Sequence, residues 1–210
     1  MTDSRQAHWE QVYGTKRITD VSWYEARPEK SLELIRATQI QPADPLIDVG
    51  GGASFLVDEL INAGYLDLTV LDISAEVLQK LRARLGAPGR AAVAFLRQDV
   101  TAFQPDRRYA LWHDRAVFHF LVQREDRERY VDVLRRALLP NGHLVIATFG
   151  PSGPERCSGL ATMRYDANAL ATELGDDFRL VDSSLAVHRT PSGVEQSLLY
   201  CRFVRQARAG

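Results

Sequence analysis

After the first 45 residues, short apolar runs alternate with longer amphipathic segments, and this alternation constrains the fold more than any other feature. A buried strand is typically a continuous apolar run, whereas a covering helix repeats apolar residues at helical spacing. Strands are predicted at residues 46–50, 68–73, 93–100, 109–114 and 143–149, with helices between them. Regular alternation of strand and helix predicts a parallel sheet with helices packed against it.

The end of the chain breaks this alternation. Two β-rich runs at residues 178–190 and 194–204 are joined by the turn Pro191-Ser192-Gly193, with no helical segment between them. A tight turn joins antiparallel strands. The two runs therefore predict a terminal antiparallel hairpin.

Local signals set the boundaries of several elements. Ser74 is predicted to be the N-cap of the helix that follows the second strand, and Gly64 to end the helix before that strand. The run Pro140-Asn141-Gly142 predicts a turn that leads into the fifth strand. Residues 150–160 are predicted to be one long irregular loop, a feature that is often functional.

Charge and cysteine content exclude several classes of protein. The 26 basic and 27 acidic residues leave a net charge of -1, so no global field favours nucleic acid or an anionic membrane. Cys157 and Cys201 are too few for a disulfide framework, and the five histidines lack metal-ligand spacing. The chain also lacks an apolar signal core and any membrane-spanning run. We expect a soluble cytoplasmic protein without a metal, whose oligomeric state the sequence leaves open.

A glycine-rich turn follows the first predicted strand. Gly50, Gly51 and Gly52 allow the backbone to bend tightly and to approach a ligand with no Cβ in the way. Asp72 closes the second strand 20 residues after Gly52, where a carboxylate can accept hydrogen bonds from ribose hydroxyls. Asp99 ends the third strand at the same edge of the sheet. Together they predict a nucleoside-binding edge.

Two other nucleotide-binding folds fit less well. A dinucleotide-binding fingerprint requires glycine at the position of Phe55, and such a domain would continue with parallel crossovers instead of a hairpin. A phosphate-binding P-loop requires Gly-Lys-Ser/Thr after the turn, and that run is missing.

The runs LIDVGGGAS, LTVLDIS, FLRQDV and LWHDRAVFHFL, followed by the terminal hairpin, resemble the ordered motifs of the class I S-adenosylmethionine-dependent methyltransferases. The resemblance covers most of the chain and departs at Ser54, where the family often has a third glycine. It implies an α/β fold, a Rossmann-like seven-stranded sheet with helices on both faces and the last strand antiparallel. It also implies an N-terminal cap segment over residues 1–45 and a methyltransferase domain over residues 46–210.

The resemblance also implies which residues hold S-adenosylmethionine and its product S-adenosylhomocysteine. Asp48 and the Gly50 to Gly52 turn are expected to contact the amino-acid moiety, Asp72 the ribose, and Asp99 with Val100 the adenine. Ile73 and His113 adjoin these residues and complete this part of the expected cofactor set.

Aromatic residues cluster before the first strand, at Trp9, Tyr13, Trp23 and Tyr24. Aromatic faces suit a positively charged sulfonium, so Trp23 and Tyr24 are also expected cofactor contacts. The alternative is that these side chains only anchor a covering helix.

Methyl transfer is an in-line displacement that depends mainly on alignment and on exclusion of water. The predicted catalytic residues follow the fourth strand: Asp114 to accept a proton or orient the acceptor, Arg115 to pair with an anionic group, and His119 as a base. A packed His119 and a salt-bridged Arg115 are the structural alternatives. Cys157 is expected to be an unreactive loop thiol.

The run Trp112-His113-Asp114-Arg115 is similar to two branches of the family. Small-molecule thiol methyltransferases carry a comparable Trp-Asp-Arg run, and elongation-factor lysine methyltransferases carry Asp-Lys-Gly-Thr there. The arginine and the little sequence beyond the core favour a small-molecule acceptor, with a protein lysine as the alternative. A non-catalytic, cofactor-binding regulatory protein is the alternative of another class.

Overall fold

The computed structural model describes residues 2–207, over which the chain forms six α-helices and nine β-strands. The helices are α1 (Thr2–Thr15), α2 (Glu29–Arg36), α3 (Leu56–Asn62), α4 (Ala75–Arg90), α5 (Arg124–Ala137) and α6 (Ala167–Leu174). The strands are β1 (Leu46–Val49), β2 (Leu68–Asp72), β3 (Val93–Arg97), β4 (Tyr109–Arg115), β5 (Leu138–Phe149), β6 (Arg156–Cys157), β7 (Leu160–Ala161), β8 (Phe178–Arg189) and β9 (Glu195–Arg205).

Seven strands form one sheet in the order β3-β2-β1-β4-β5-β9-β8. The strands β1 to β5 pair in parallel, whereas β9 lies antiparallel between β5 and β8. The expected seven-stranded sheet with an antiparallel last strand is therefore confirmed. The turn before β9 contains Gly193 at φ 83°, a conformation that glycine adopts without strain.

Helices cover both faces of the sheet, and the central strands β1 and β2 are buried along their whole length. On one face, α2, α3 and α4 pack against the sheet through Ile35, Leu60 and Leu81. On the other face, α5 and α6 contribute Leu134 and Leu170 to a second cluster. In the part of the chain that the structure describes, no helix is long and apolar enough to cross a membrane.

Two local predictions need correction. The Pro140-Asn141-Gly142 run lies within β5, where the pairing with β4 shifts register and Asn141 adopts φ 61°. The turn signal therefore produces a bulge inside the strand, because the pairing resumes on its far side. Residues 150–160 are not wholly irregular, since β6 and the start of β7 form a short hairpin there.

The N-terminal helix docks on the start of α4. The Glu10 carboxylate accepts hydrogen bonds from Ser74 Oγ at 2.6 Å and from the backbone N–H groups of Ala75 at 2.8 Å and Glu76 at 3.1 Å. Ser74 Oγ also accepts from Val77 N at 3.3 Å, which confirms it as the N-cap. A carboxylate at a helix N-terminus is stabilised by the unpaired N–H groups and by the helix dipole. These bonds hold α1 over the carboxyl ends of β2 and β3.

Candidate active site

The cavity of interest lies where the strand order reverses. From β1 the chain adds β2 and β3 on one side and then returns to add β4 and β5 on the other. Ligands of open α/β sheets bind at such a switch point, beyond the carboxyl ends of the strands. The cavity here encloses about 920 Å³, part of it open to solvent, and runs from the tips of β2 and β3 to β9.

The lining residues fall into two groups. The first group follows β1, β2 and β3 and includes Gly50, Asp72, Ile73, Gln98, Asp99 and Val100. The second group follows β4 and β5 or belongs to the hairpin and includes Arg115, Ala116, Val117, His119, Phe149, Cys157, His188, Gln196 and Leu198. Arg5, Trp9 and Tyr13 of α1, with Trp23, cover both.

The glycine turn has no room for side chains. Gly50 adopts φ 68°, and a Cβ there would lie 2.2 Å from Val117 Cγ2. A Cβ at Gly51 would lie 2.2 Å from the Asp48 carboxylate oxygen Oδ2. The turn can therefore adopt this path only with glycine at both positions.

Asp72 is buried at the end of β2 and faces the glycine turn. Its carboxylate accepts hydrogen bonds from Gly52 N at 3.2 Å and from Ser74 N at 3.0 Å. Burial, helped by the nearby Asp48 charge, raises the pKa of Asp72 to about 6, although those hydrogen bonds act in the opposite direction. Each oxygen keeps a free lone pair, so the carboxylate can still accept hydroxyl donors.

Asp48 is held by a buried polar chain. Its Oδ1 lies 2.7 Å from His113 Nδ1, and His113 Nε2 lies 2.9 Å from Ser31 Oγ. The second carboxylate oxygen, Oδ2, is buried without a hydrogen-bond partner. Asp48 and His113 line a smaller cavity beside the main one, together with Gly51. His113 therefore positions Asp48 and leaves one of its oxygens available for a donor.

Asp99 is the second carboxylate with an available oxygen. Its Oδ1 accepts from Thr101 N and Thr101 Oγ1, at 2.9 Å and 2.8 Å. Its buried Oδ2 has no hydrogen-bond partner, although Arg5 Nη1 lies 3.5 Å away. Arg5 also pairs with Asp126 at 2.6 Å, which ties α1 to α5 beside this end of the cavity.

Arg115 joins separate segments around the other end of the cavity. Its guanidinium lies 2.7 Å from Glu25 and donates to the Trp23 carbonyl at 2.9 Å and to Tyr200 Oη at 3.1 Å. His188 Nδ1 also lies 3.2 Å from Glu25. Arg115 is therefore salt-bridged, and it also lines the cavity as a fixed positive charge.

Asp114 does not line the cavity. Its Oδ2 accepts from Tyr130 Oη at 2.7 Å, and its Oδ1 accepts from the N–H groups of Val117 at 2.9 Å and Phe118 at 3.4 Å. Burial raises the pKa of this carboxyl to about 6. We correct the expected catalytic role: the internal bonds direct Asp114 to the backbone after β4, so it shapes the loop instead of meeting a ligand.

We expect Tyr130→Phe to lower the free energy of unfolding by about 2 kcal/mol, because it leaves buried polar groups without partners. Tyr130 Oη accepts from Trp112 Nε1 at 2.9 Å and donates to Asp114 at 2.7 Å. Urea denaturation measures the change. Tyr24→Phe is the matched control, since Tyr24 is half-buried near the surface, and equal losses in the two variants would contradict the prediction.

His119 is fully buried, lines the cavity and stacks on Phe149 with ring centroids 4.3 Å apart. Its Nδ1 accepts the backbone N–H of Phe149 at 3.2 Å, and its Nε2 has no partner. Burial and the Arg115 charge lower the pKa of His119 to about 3. We correct its expected role as a base: an imidazole in this state does not take up a proton near neutral pH.

The aromatic residues before β1 are placed differently from one another. Trp23 lines the cavity and packs edge-on against Trp9, with centroids 5.6 Å apart. Tyr13 stacks on Trp9 at 5.9 Å. Tyr24 lies outside this cavity, 5.9 Å from Phe55, so we do not retain it as a ligand contact.

Cys157 is buried at the cavity wall, with its Sγ 3.6 Å from Ser22 Oγ. Burial raises the pKa of this thiol. A raised pKa keeps the sulfur protonated and weakly nucleophilic at neutral pH.

Sequence reasoning missed several cavity residues. Arg5 has no motif, and its partner Asp126 lies 121 residues away in the chain. Gln196 and Leu198 belong to the predicted hairpin, but no sequence signal places β9 beside β5.

Residues 47–144 match the family described as a methyltransferase domain. The eEF1A lysine and N-terminal methyltransferase of Bos taurus is 26% identical over 192 residues, which cover 91% of this chain and 26% of that relative. The chain thus spans about a quarter or less of the length of the curated relatives it matches first.

Solved structures share the fold. A structure from work on the conversion of a disulfide bond into a thioacetal group during echinomycin biosynthesis aligns with a TM-score of 0.76 at 16% identity, over 96% of this chain and 92% of that one. The Burkholderia thailandensis 1,6-didemethyltoxoflavin-N1-methyltransferase aligns with a TM-score of 0.69 at 18% identity, over 97% and 85%. At these identities the likeness establishes the fold alone.

The matched domain, the ordered motifs and the strand order agree with one another. Together they support a class I S-adenosylmethionine-dependent methyltransferase, with S-adenosylmethionine as its cofactor.

Proposed function

We propose that this protein transfers a methyl group from S-adenosylmethionine to a heteroatom of a small-molecule acceptor. The observation that carries the proposal is the covered cavity, which has buried acceptor atoms near β1 to β3 and an aromatic region near β4 and β5. Concave, mostly apolar sites with a few polar groups are typical of small-molecule binding.

The residues at the first end fit the cofactor. The Oδ2 atoms of Asp48 and Asp99 accept no hydrogen bond within the described residues, and they suit the two amino groups of S-adenosylmethionine, which are hydrogen-bond donors. Asp48 with the glycine turn would hold the amino-acid moiety, Asp72 the ribose, and Asp99 the adenine. Val100 and Ile73 line the same end and would pack against the adenosyl group. His113 acts through Asp48.

When bound, S-adenosylmethionine would supply the methyl group: a lone pair of the acceptor atom bonds to the methyl carbon, and the carbon–sulfur bond breaks with its electrons remaining on sulfur. Trp9, Tyr13 and Trp23 cover the cavity, exclude water and present aromatic faces that favour a cation. Arg115 fixes the segment that carries Trp23 through its bond to the Trp23 carbonyl. These residues align the reactants, and the acceptor's proton passes to solvent, since His119 does not accept it.

A protein lysine is the second candidate acceptor, because the relatives from mammals are named as lysine and N-terminal methyltransferases. A lysine must lose its ammonium proton before it reacts, and acidic side chains favour its approach. The described residues that line the acceptor end include Arg115 and no carboxylate. We therefore favour the small molecule.

The test has two steps. Isothermal titration with S-adenosylhomocysteine is expected to show one site, and a methyl-transfer screen with labelled cofactor is expected to find acceptors among small heteroaromatic compounds. Transfer to lysine peptides alone would favour the second candidate. Binding without transfer to either class would support a non-catalytic cofactor-binding protein.

A further inference from the structure

His119 carries a hydrogen-bond donor that nothing in the protein uses. A backbone N–H can only donate, so the bond from Phe149 N at 3.2 Å makes Nδ1 the acceptor. The proton of the neutral ring therefore lies on Nε2, which is buried without a partner. A protonated ring would place two N–H groups against each other at Nδ1. This geometry holds His119 in one tautomer.

His119 is also part of an aromatic wall, which we define as Trp9, Trp23, His119, Phe120 and Phe149. Its ring stacks on Phe149 with an interplanar angle of 16° and meets the edge of Phe120 at 4.5 Å. Phe120 in turn packs edge-on against Trp9 at 5.2 Å. All five side chains line the cavity, and they offer aromatic surface around the free Nε2–H of His119.

The charges around this wall disfavour a cationic ligand. Among the described residues, the two carboxylates that line the cavity are Asp72 and Asp99, and both lie at the cofactor end. The charged group next to the wall is Arg115, which is paired with Glu25 at 2.7 Å and helps to lower the pKa of His119. A neutral or weakly acidic ligand therefore fits this end better than an ammonium group.

We propose that the methyl acceptor is a planar, uncharged or weakly acidic aromatic compound that carries a hydrogen-bond acceptor atom, and that His119 Nε2–H selects it by donating to that atom. That the selected ligand is the methyl acceptor rests on the proposed function. The free Nε2–H donor of His119 does not depend on it. His119 thus determines specificity and does not take the proton.

The tautomer is tested on the intact protein by ¹⁵N NMR of the histidine side chains at pH 7, with and without S-adenosylhomocysteine. His119→Gln identifies the signal by its disappearance. We expect a neutral ring with the proton on Nε2. A proton on Nδ1, or a charged ring, would overturn the proposal. The result is independent of any methyl transfer, so a failure of the proposed function remains distinguishable.

The ligand class is tested by titrating three bicycles of one shape into the protein saturated with S-adenosylhomocysteine: 2-naphthol, 6-hydroxyquinoline and 7-hydroxyquinoline. We expect at least one hydroxyquinoline to bind about tenfold more tightly than 2-naphthol, since its ring nitrogen accepts a hydrogen bond. His119→Phe keeps an aromatic ring and is expected to remove that preference, and His119→Gln is the second variant should the first not fold.

His143→Phe is the matched control, because His143 lies midway along β5 and does not line the described cavities. It is expected to keep the wild-type preference. The proposal is overturned if His119→Phe and wild type show the same preference, if none of the three bicycles binds, or if Nα-acetyl-lysine amide binds more tightly than all of them.

Discussion

Gly50→Ala is expected to weaken S-adenosylhomocysteine binding by about 100-fold, which corresponds to about 3 kcal/mol. The added Cβ meets two obstacles: a backbone at φ 68° and Val117 Cγ2 at 2.2 Å. Val117 follows the loop that Asp114 holds and lines the cavity. To relieve the clash, either the glycine turn or the part of the cavity wall formed by Val117 must move. Both lie beside the expected cofactor site. Isothermal titration gives the change in affinity.

Gly64→Ala is the matched control for backbone strain. Gly64 also has a left-handed backbone, at φ 89°, but a Cβ there meets nothing within 4 Å. We expect this variant to lose about 1 kcal/mol of stability and to bind with an affinity within about twofold of wild type. Similar affinity losses in both variants would mean that strain alone, and not the site, explains the effect.

Asp72→Ala is expected to weaken S-adenosylhomocysteine binding by about 1.5 to 3 kcal/mol, or roughly 10- to 150-fold, through loss of charge-assisted hydrogen bonds to the ribose. Asp67→Ala is the control, because Asp67 precedes the same strand at its opposite end and pairs with Arg107 at the surface. An unchanged dissociation constant for Asp72→Ala would remove this residue from the cofactor site.

The pH dependence of Asp72 extends this prediction. Its folded pKa of about 6 lies above the ordinary value of 3.8, so the folded state holds a proton that the unfolded state releases between these values. Stability of the ligand-free protein therefore rises as the pH falls from 7 towards 5, by about 1 kcal/mol from this group. Asp114 contributes in the same direction, because burial also raises its pKa to about 6.

Binding is expected to change in the opposite direction. An ionised carboxylate is the stronger hydrogen-bond acceptor, so S-adenosylhomocysteine affinity should fall as the pH drops through about 6. Thermal unfolding and titration over pH 5 to 7.5 measure the two effects on one sample. A stability that falls together with the affinity would contradict this account. Below pH 5 the Glu25 carboxyl opposes this gain in stability. Burial raises its pKa, but His188 and Arg115 lower it more, so its protonation destabilises the folded protein.

The cofactor edge was accessible to sequence reasoning because its residues follow local rules. Gly50, Asp72 and Asp99 each lie at the carboxyl end of a predicted strand, and parallel strands bring such positions to one edge. The acceptor end follows no such rule. The run from His113 to His119 contains four ionisable side chains, and no local sequence pattern indicates which of them face a ligand.

The sequence by itself determined the order of strands and helices, the terminal hairpin and the carboxylates at the tips of β2 and β3, because strand periodicity and turn residues act over short distances. The contacts of Asp114, Arg115 and His119 are visible only in the folded chain. Their partners Tyr130, Tyr200 and Phe149 lie 16, 85 and 30 residues away. A buried polar group takes its protonation state and function from such contacts, which form only when the chain folds.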